Sequence, residues 1–253
     1  MSKFNNQYYL FANWKMYLDL DESVAMSAAL KKEADGFAND VKMVLFPSAL
    51  AMNSVVKEVG GALDVGAQNV YWVEKGGYTG EISATMVKTV GAEYCLVGHS
   101  ERRHLFGETG HQTRQKIEAA LAVGLTPVLC VGEKTEEKKD GKTLIVVEEQ
   151  IRAALDGVLW PSDRELVVAY EPVWAIGTGL ACDPVEAEQV HEYIHGLLQK
   201  LISGTIPVLL YGGSVRPNNV VDYLKQTHIN GVLVGGASTK IDSWMEIVKV
   251  CTV

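Results

Sequence analysis

AYEPVWAIGTG, at residues 169–179, places the carboxylate of Glu171 between an apolar run and an apolar loop. The run LVVA at residues 166–169 predicts a buried strand, and Pro172, which lacks a backbone N–H, ends it. The loop beyond carries Trp174 and Ile176. Because loops normally face water, we expect this one to cover a site at the strand end. On these residues alone, Glu171 is either a base beneath a flap or a structural carboxylate held in an ion pair.

The length and composition are those of an ordinary globular protein. The chain has 253 residues, of which 47% are hydrophobic and 21% are charged. This length fits one α/β barrel or two smaller domains. A net charge of −8 argues against nucleic acid or a membrane surface as a partner, although a local basic site can still bind an anionic substrate.

The cysteines and the N-terminus predict a cytoplasmic protein. Cys95, Cys130, Cys182 and Cys251 are far apart and form neither a CxxC motif nor a Cys/His cluster, so we expect free thiols and no metal site. Residues 1–7 lack the apolar region of a signal peptide. No apolar run reaches the length needed to span a membrane.

Short apolar runs alternate with amphipathic segments along the whole chain. Such continuously apolar strands are typical of a parallel sheet buried on both faces. About eight repeats predict an α/β fold, a (β/α)8 barrel that forms a single domain over residues 1–253. An open doubly wound sheet is the alternative, and the lack of GxGxxG after the first strand argues against it. Strands are predicted at residues 8–12, 41–46, 63–67, 94–97, 126–131, 166–169, 208–211 and 232–234, and helices at 19–38, 49–59, 83–90, 113–123, 146–155, 184–201, 220–224 and 243–250, with 133–142 a solvated loop or helix start.

Chemically capable groups follow five of the predicted strands. In a barrel these carboxyl ends meet at one mouth. Taken singly, each group is more often structural: a surface lysine, a packed histidine or an ordinary turn. Together they supply a cation, an imidazole, a carboxylate and two sets of exposed amides suited to phosphate. These groups are Lys15 beside Asn13, His99, Glu171, the turn Gly212-Gly213-Ser214 and the turn Gly235-Gly236.

This combination predicts proton transfer on a small phosphorylated substrate. Glu171 is placed to act as the base, and closure of an apolar flap over bound substrate would raise its pKa. His99 precedes a predicted helix start, where a neutral imidazole could donate a hydrogen bond to a carbonyl. Lys15 would stabilise the negative charge of an enediolate.

Several motifs besides the first resemble those of the triosephosphate isomerases. They span nearly the whole chain in the family's order: NWK at 13–15, GYTGE at 77–81, GHSERR at 98–103, CVGE at 130–133, YGGS at 211–214 and LVGGAS at 233–238. The resemblance implies a TIM barrel enzyme of glycolysis and gluconeogenesis. Such an enzyme interconverts dihydroxyacetone phosphate and D-glyceraldehyde 3-phosphate through an enediolate, with no cofactor and no metal.

The resemblance also implies a role for each matching residue. Glu171 looks like the base, His99 like the electrophile, and Asn13 and Lys15 like substrate-binding residues. Glu101 resembles the partner of Lys15. Tyr211 and Ser214 resemble the groups that hold the lid shut. Phosphate donors are implied at Gly177, Ser214, Gly235 and Gly236, and the lid comprises Pro172, Val173, Trp174, Ala175, Ile176, Gly177, Thr178 and Gly179.

A long loop, from Gln68 to Glu81, resembles the segment that dimers of this family insert into the neighbouring subunit. There Thr79 would reach the partner's Asn13. Tyr71, Trp72 and Tyr78 would be costly to leave in water, so we expect a homodimer. The chain departs from the family in two places, Leu180-Ala181-Cys182 at the second lid hinge and Tyr17-Leu18 near the expected interface.

Two other functions remain open from the sequence. A phosphosugar epimerase would need a metal or a second acid across the ring, and neither is apparent. A non-catalytic phosphate-binding barrel would keep the glycine turns but would have no reason to keep Glu171, His99 and Lys15 together.

Overall fold

The computed structural model describes residues 7–37, 39–177, 180–202 and 204–252. Within these ranges eight parallel strands form a closed barrel in chain order, and the first strand pairs with the second and the eighth. The predicted (β/α)8 barrel is therefore confirmed, and the doubly wound alternative is wrong because the sheet has closed. The strands are β1 (Tyr8–Asn13), β2 (Val41–Phe46), β3 (Asp64–Ala67), β4 (Tyr94–Val97), β5 (Thr126–Val131), β6 (Leu166–Tyr170), β7 (Pro207–Tyr211) and β8 (Gly231–Val234).

Helices cover the outside of the barrel. The first begins as predicted, at a capping box in which Asp19 and Glu22 bond each other's backbone N–H. It ends at Glu33 rather than near residue 38, because the chain tightens there into a 3-10 turn at Ala34–Gly36; Ala38 lies outside the described residues. The helices are α1 (Leu20–Glu33), α2 (Ala49–Val59), α3 (Ala84–Thr89), α4 (Ser100–Leu105), α5 (Gly110–Ala122), α6 (Thr135–Lys139), α7 (Thr143–Leu155), α8 (Pro184–Leu201), α9 (Val220–Leu224) and α10 (Ile241–Lys249).

The strands separate two apolar layers. Because successive side chains point to opposite sides of a strand, Val167 and Ala169 of β6 fill the barrel interior, whereas Tyr170 packs among the helices. The same alternation aims Glu171 inward at the carboxyl end of β6. On β1 it aims Asn13, two residues after the interior Phe11, toward the same mouth.

A polar cluster closes the other end of the barrel. Tyr9 and Tyr94 donate hydroxyl hydrogen bonds of 2.6 and 2.8 Å to the two carboxylate oxygens of Glu165. Lys42 lies 3.7 Å from Glu165 and 3.8 Å from Asp64. Glu165 and Glu171 therefore stand at opposite ends of β6, which makes Glu165 a natural control for experiments on Glu171. None of the described helices has both the length and the apolar character needed to cross a bilayer.

Candidate active site

The strand ends named from the sequence line one cleft of about 350 Å3 at the carboxyl end of the barrel. Polar side chains from β1, β4 and β6 meet there with the turns after β7 and β8. The cleft is lined, among others, by Asn13, Lys15, His99, Glu101, Glu171, Ile176, Gly177, Gly212, Gly213, Ser214, Gly235 and Gly236.

Glu171 is almost fully buried, with 2% of its surface exposed. Its Oε2 accepts the backbone N–H of Ser100 at 2.9 Å, and its Oε1 lies 3.1 Å from Nε2 of His99. Burial raises the pKa of Glu171, but His99 and the Ser100 amide outweigh it, so the pKa lies below the usual value. The increase expected for a lid closed over substrate stays a prediction about the substrate complex.

His99 is oriented by the start of α4. Its Nδ1 accepts the N–H of Glu101 at 3.3 Å, so His99 caps the helix, and its Nε2 lies 3.3 Å from Nδ2 of Asn13. A neutral ring with Nδ1 as acceptor carries its proton on Nε2, which faces the cleft. Gly98 makes this position possible because the chain turns there with φ of +69°.

The pKa of His99 reflects its contact with Glu171 in the free enzyme, and the neutral imidazole stays a prediction about the substrate complex. Burial lowers the pKa of His99. The Glu171 carboxylate at 3.1 Å raises that pKa by more than burial lowers it, so the net shift is upward. The sequence could not show this contact. A substrate that separates the two groups removes the cause of the increase and leaves the amide bond to Nδ1, which favours the neutral ring.

Lys15 is held in a strained conformation. Its φ of +50° is unusual for a residue with a side chain. The Lys15 N–H donates to Oδ1 of Asn13 at 3.0 Å, and the Gln68 side chain donates to the Lys15 carbonyl at 2.7 Å. Its ammonium group contacts Oε1 of Glu101 at 2.7 Å, the pairing that the resemblance implied. The cation is therefore fixed at the cleft rather than free on the surface.

The two glycine turns approach the side chains of Glu171 and Lys15 closely. A Cβ at Gly212 would lie 2.8 Å from Cγ of Glu171, and one at Gly235 would lie 3.2 Å from Cε of Lys15. A side chain at Gly212 would thus displace the carboxylate. The second turn leads into a 3-10 helix at Gly236–Thr239, whose first N–H groups are free of internal partners by geometry and suit an anion.

Hydrogen bonds hold the first half of the expected lid in place. Residues Val173–Ala175 form a 3-10 turn, and the Trp174 indole donates to Oε1 of Glu133 at 2.8 Å. Ser214 donates its hydroxyl hydrogen bond to the Ala175 carbonyl at 2.5 Å. Of the remaining lid residues, Ile176 and Gly177 line the cleft, whereas Thr178 and Gly179 lie outside the described residues.

Two buried carboxylates that support the site, those of Glu133 and Glu108, were not identified from the sequence. Glu133 stands in the CVGE motif, but only the structure shows that it accepts the Trp174 indole and the Tyr170 hydroxyl while fully buried. Glu108 accepts the N–H of Gly98 at 2.9 Å, next to His99, and also pairs with Lys116 at 2.6 Å. Glu108 lies in no motif quoted above, so the sequence offered no signal for it.

An apolar groove of about 540 Å3 adjoins the cleft and shares Asn13 and Lys15 with it. Met16, Leu105 and Phe106 line this groove with largely exposed side chains. The 68–81 loop runs beside it and carries Thr79, which is exposed. Within that loop the aromatic rings pack on each other, with ring centroids 4.0 Å apart for Tyr71 and Trp72 and 4.9 Å apart for Tyr71 and Tyr78.

All four cysteines lie in the described part of the chain, where they are free and buried. Among the described residues, no group of three or more histidine, cysteine, aspartate or glutamate side chains is arranged to hold a metal ion.

Comparison with known proteins gives one consistent match. The family model described as triosephosphate isomerase matches residues 8–251. Three proteins named triosephosphate isomerase are among the similar relatives. The one from Pelobacter propionicus is 43% identical over 242 residues, 94% of this chain and 96% of that protein. The one from Endomicrobium trichonymphae is 41% identical over 94% of this chain and 96% of that protein. The one from Dehalococcoides mccartyi is also 41% identical, over 96% of this chain and 96% of that protein.

Proposed function

The chain belongs to the triosephosphate isomerase family, and from that premise we propose that Glu171, His99 and Lys15 carry out its reaction. As a member of this family it is a glycolytic isomerase, which interconverts dihydroxyacetone phosphate and D-glyceraldehyde 3-phosphate. The observation that carries the proposal is the meeting of a carboxylate, an imidazole and an ammonium group in one cleft lined by two glycine turns.

Glu171 acts as the base that moves the proton. Its carboxylate removes a proton from the carbon next to the carbonyl, and the electron pair moves onto the carbonyl oxygen to give an enediolate. The proton then returns to the neighbouring carbon. A pKa below the usual value keeps Glu171 ionised in the free enzyme. Both of its oxygens contact Ser100 or His99, so substrate must displace at least one contact before the base can act.

His99 and Lys15 act on the oxygen atoms. The Nε2–H of neutral His99 donates to the substrate oxygens and moves protons between them as the enediolate forms. The Lys15 ammonium, held by Glu101 at 2.7 Å, offsets the negative charge that develops. Such fixed charges cost no reorganisation at the moment of reaction.

The phosphate group binds at the two turns. Ser214, Gly235 and Gly236 line the cleft at the β7 and β8 ends, and their backbone N–H groups would donate to the phosphate. Gly177 would add another donor from the lid. The lid then excludes water from the enediolate. Tyr211 and Ser214 hold it closed, a role supported by the hydrogen bonds to Cys182 N–H and to the Ala175 carbonyl.

We infer that the active form is a homodimer. The 68–81 loop of one subunit would enter the 540 Å3 groove of the other, where Thr79 would reach the partner's Asn13. The groove supports this because it shares Asn13 and Lys15 with the catalytic cleft and exposes apolar side chains at its edge. Burial of such a patch stabilises association.

We also infer that residues 1–253 form a single domain in the cytoplasm, with no cofactor, no metal and neither nucleic acid nor membrane as partner. The free cysteines support the cytoplasmic compartment. The acidic net charge of −8 argues against nucleic acid or a membrane surface as a partner.

One assay separates this function from the alternatives. Purified protein, with a chelator present, receives glyceraldehyde 3-phosphate in D2O, and the ketose product is followed by NMR. Proton transfer through an enediolate predicts rapid ketose formation with deuterium on the carbon that received the proton. Activity lost to the chelator would favour an epimerase, and phosphate binding without turnover would favour a scaffold.

A further inference from the structure

Cys182, where the chain leaves the lid, has both backbone polar groups bound by tyrosine hydroxyls. The Cys182 N–H donates to the Tyr211 hydroxyl at 3.3 Å, and the Tyr223 hydroxyl donates to the Cys182 carbonyl at 2.6 Å. Cys182 lies just before α8, whose N-cap is Asp183. The two tyrosines thus fix the second end of the lid through main-chain atoms, whatever side chain occupies position 182.

The tyrosines form one unit. Their rings stack with centroids 3.9 Å apart and an interplanar angle of 15°, and Tyr223 is 1% exposed. Burial, the largest cause, raises the pKa of both hydroxyls, so both keep their protons at neutral pH. We call Tyr211, Tyr223 and the Cys182 backbone the hinge clamp.

The hinge clamp is linked, through two neighbouring barrel strands, to the hydrogen bonds that hold the first end of the lid. Tyr170 and Tyr211 are register partners on β6 and β7. Tyr170 donates to Glu133, which also accepts the Trp174 indole. Neighbouring positions of two barrel strands therefore hold the two ends of the lid, one through Glu133 and one through the clamp.

We propose that Tyr223 is a positioning residue for lid closure, which acts through Tyr211 and the Cys182 backbone to set where the lid closes over substrate. Tyr223 is not named by the sequence motifs, and it lies on α9, outside the cleft lining. The inference rests on the proposed function, since a lid matters only if an enediolate needs protection from water.

A hydroxyl deletion tests the proposal. Tyr223→Phe keeps the stacked ring and removes one hydrogen bond. With the lid less firmly closed, kcat/KM should fall about 3- to 10-fold, the effect of one neutral hydrogen bond. More of the enediolate should also decompose: its electron pair forms a new C=C bond as the C–O bond to phosphate breaks, and inorganic phosphate leaves with the bonding electrons. The enol that remains takes up a proton at its terminal carbon, loses the proton of its hydroxyl group and becomes methylglyoxal. The phosphate released per isomerisation should therefore rise at least about 3-fold, on the same basis.

Tyr94→Phe is the matched control. It also removes one buried tyrosine hydroxyl, but that hydroxyl bonds Glu165 at the far end of the barrel. Tyr94→Phe is expected to lower thermal stability while the phosphate released per isomerisation stays at the wild-type value. In the Tyr211→Phe, Tyr223→Phe double variant, the losses should be less than additive, because both act on one clamp.

The proposal and the proposed function fail in different ways. Wild-type protein that does not isomerise triose phosphate overturns both. An active wild type, with wild-type phosphate release in Tyr223→Phe, overturns only the role of Tyr223, as does an equal increase in Tyr94→Phe. Should Tyr223→Phe not fold, the Tyr223 hydroxyl proton of wild-type protein, observed by NMR, decides: slow exchange supports its hydrogen bond to the Cys182 carbonyl, and exchange as fast as in an exposed hydroxyl contradicts the clamp.

Discussion

Gly235 leaves the space that the Lys15 side chain occupies: a methyl group on Gly235 would stand 3.2 Å from Cε of Lys15. Lys15 has little freedom to move away, because its φ is +50° and its ammonium group contacts Glu101 at 2.7 Å. The turn after β8 therefore has little room for a side chain at Gly235 while Lys15 keeps its position after β1.

Gly235→Ala is expected to displace the Lys15 ammonium and lower kcat/KM about 10- to 100-fold, since catalysis is sensitive to small displacements. Steady-state kinetics measure it. Gly196→Ala is the control, because a methyl group there meets nothing within 4 Å and lies on α8 away from the cleft. Equal kinetics for the two variants would show that Lys15 needs no such space.

Glu108→Gln should destabilise the protein by about 3–5 kcal/mol, as expected when a buried cation loses its anion. Lys116 is 3% exposed and contacts Glu108 at 2.6 Å. Denaturant unfolding measures the change. Glu118→Gln breaks an exposed pair with Arg114 and should cost at most about 1 kcal/mol. A loss of that small size in Glu108→Gln would mean that Lys116 finds another partner.

Asp64→Asn should stabilise the protein at neutral pH. Burial raises the pKa of Asp64, and Glu93 and Glu165 raise it further against the opposing effect of Lys42. A folded-state pKa above the unfolded one means that stability present at low pH is lost as pH rises through the folded pKa. The partly exposed Asp64 is screened, so we expect a Tm increase of roughly 1–2 °C at pH 7.

That gain should shrink as the pH falls toward the usual pKa of an aspartate. Melting curves at several pH values measure it, and Asp163→Asn, which removes a 73% exposed carboxylate, controls for the loss of one surface charge. A Tm gain that grows at low pH would reverse the sign of the argument.

The proposed dimer is tested at Phe106, which is 69% exposed at the groove. Phe106→Asp places a charge in the apolar interface and should shift sedimentation from dimer to monomer, with a loss of activity. Leu159→Asp is the control, since Leu159 is 94% exposed but does not line the groove. A fully active monomer would contradict our interpretation of the 68–81 loop.

The sequence predicted the barrel and its mouth because both follow from local pattern. Continuous apolar runs such as residues 166–169 predict buried parallel strands, and strand ends meet by topology. Glu171, Lys15 and the glycine turns stand at such ends. Glu108 and Tyr223 act through hydrogen bonds to main-chain groups elsewhere in the fold. Their partners depend on tertiary packing, so residue type and spacing carried no signal for them.

The ionisation of the site likewise depends on distance. Sequence reasoning placed His99 at a helix start, which the structure has, and predicted a neutral ring. It could not include the 3.1 Å contact with Glu171, which raises the pKa of His99 and lowers that of Glu171.

The central claim is that Glu171 is the base, and paired variants on β6 test it most directly. Glu171→Gln keeps the size of the side chain and removes its basicity, whereas Glu165→Gln makes the same change at the other end of the strand. We predict that kcat/KM for glyceraldehyde 3-phosphate falls at least roughly 100- to 10,000-fold in Glu171→Gln and stays near the wild-type value in Glu165→Gln. Wild-type kinetics in Glu171→Gln would contradict the mechanism.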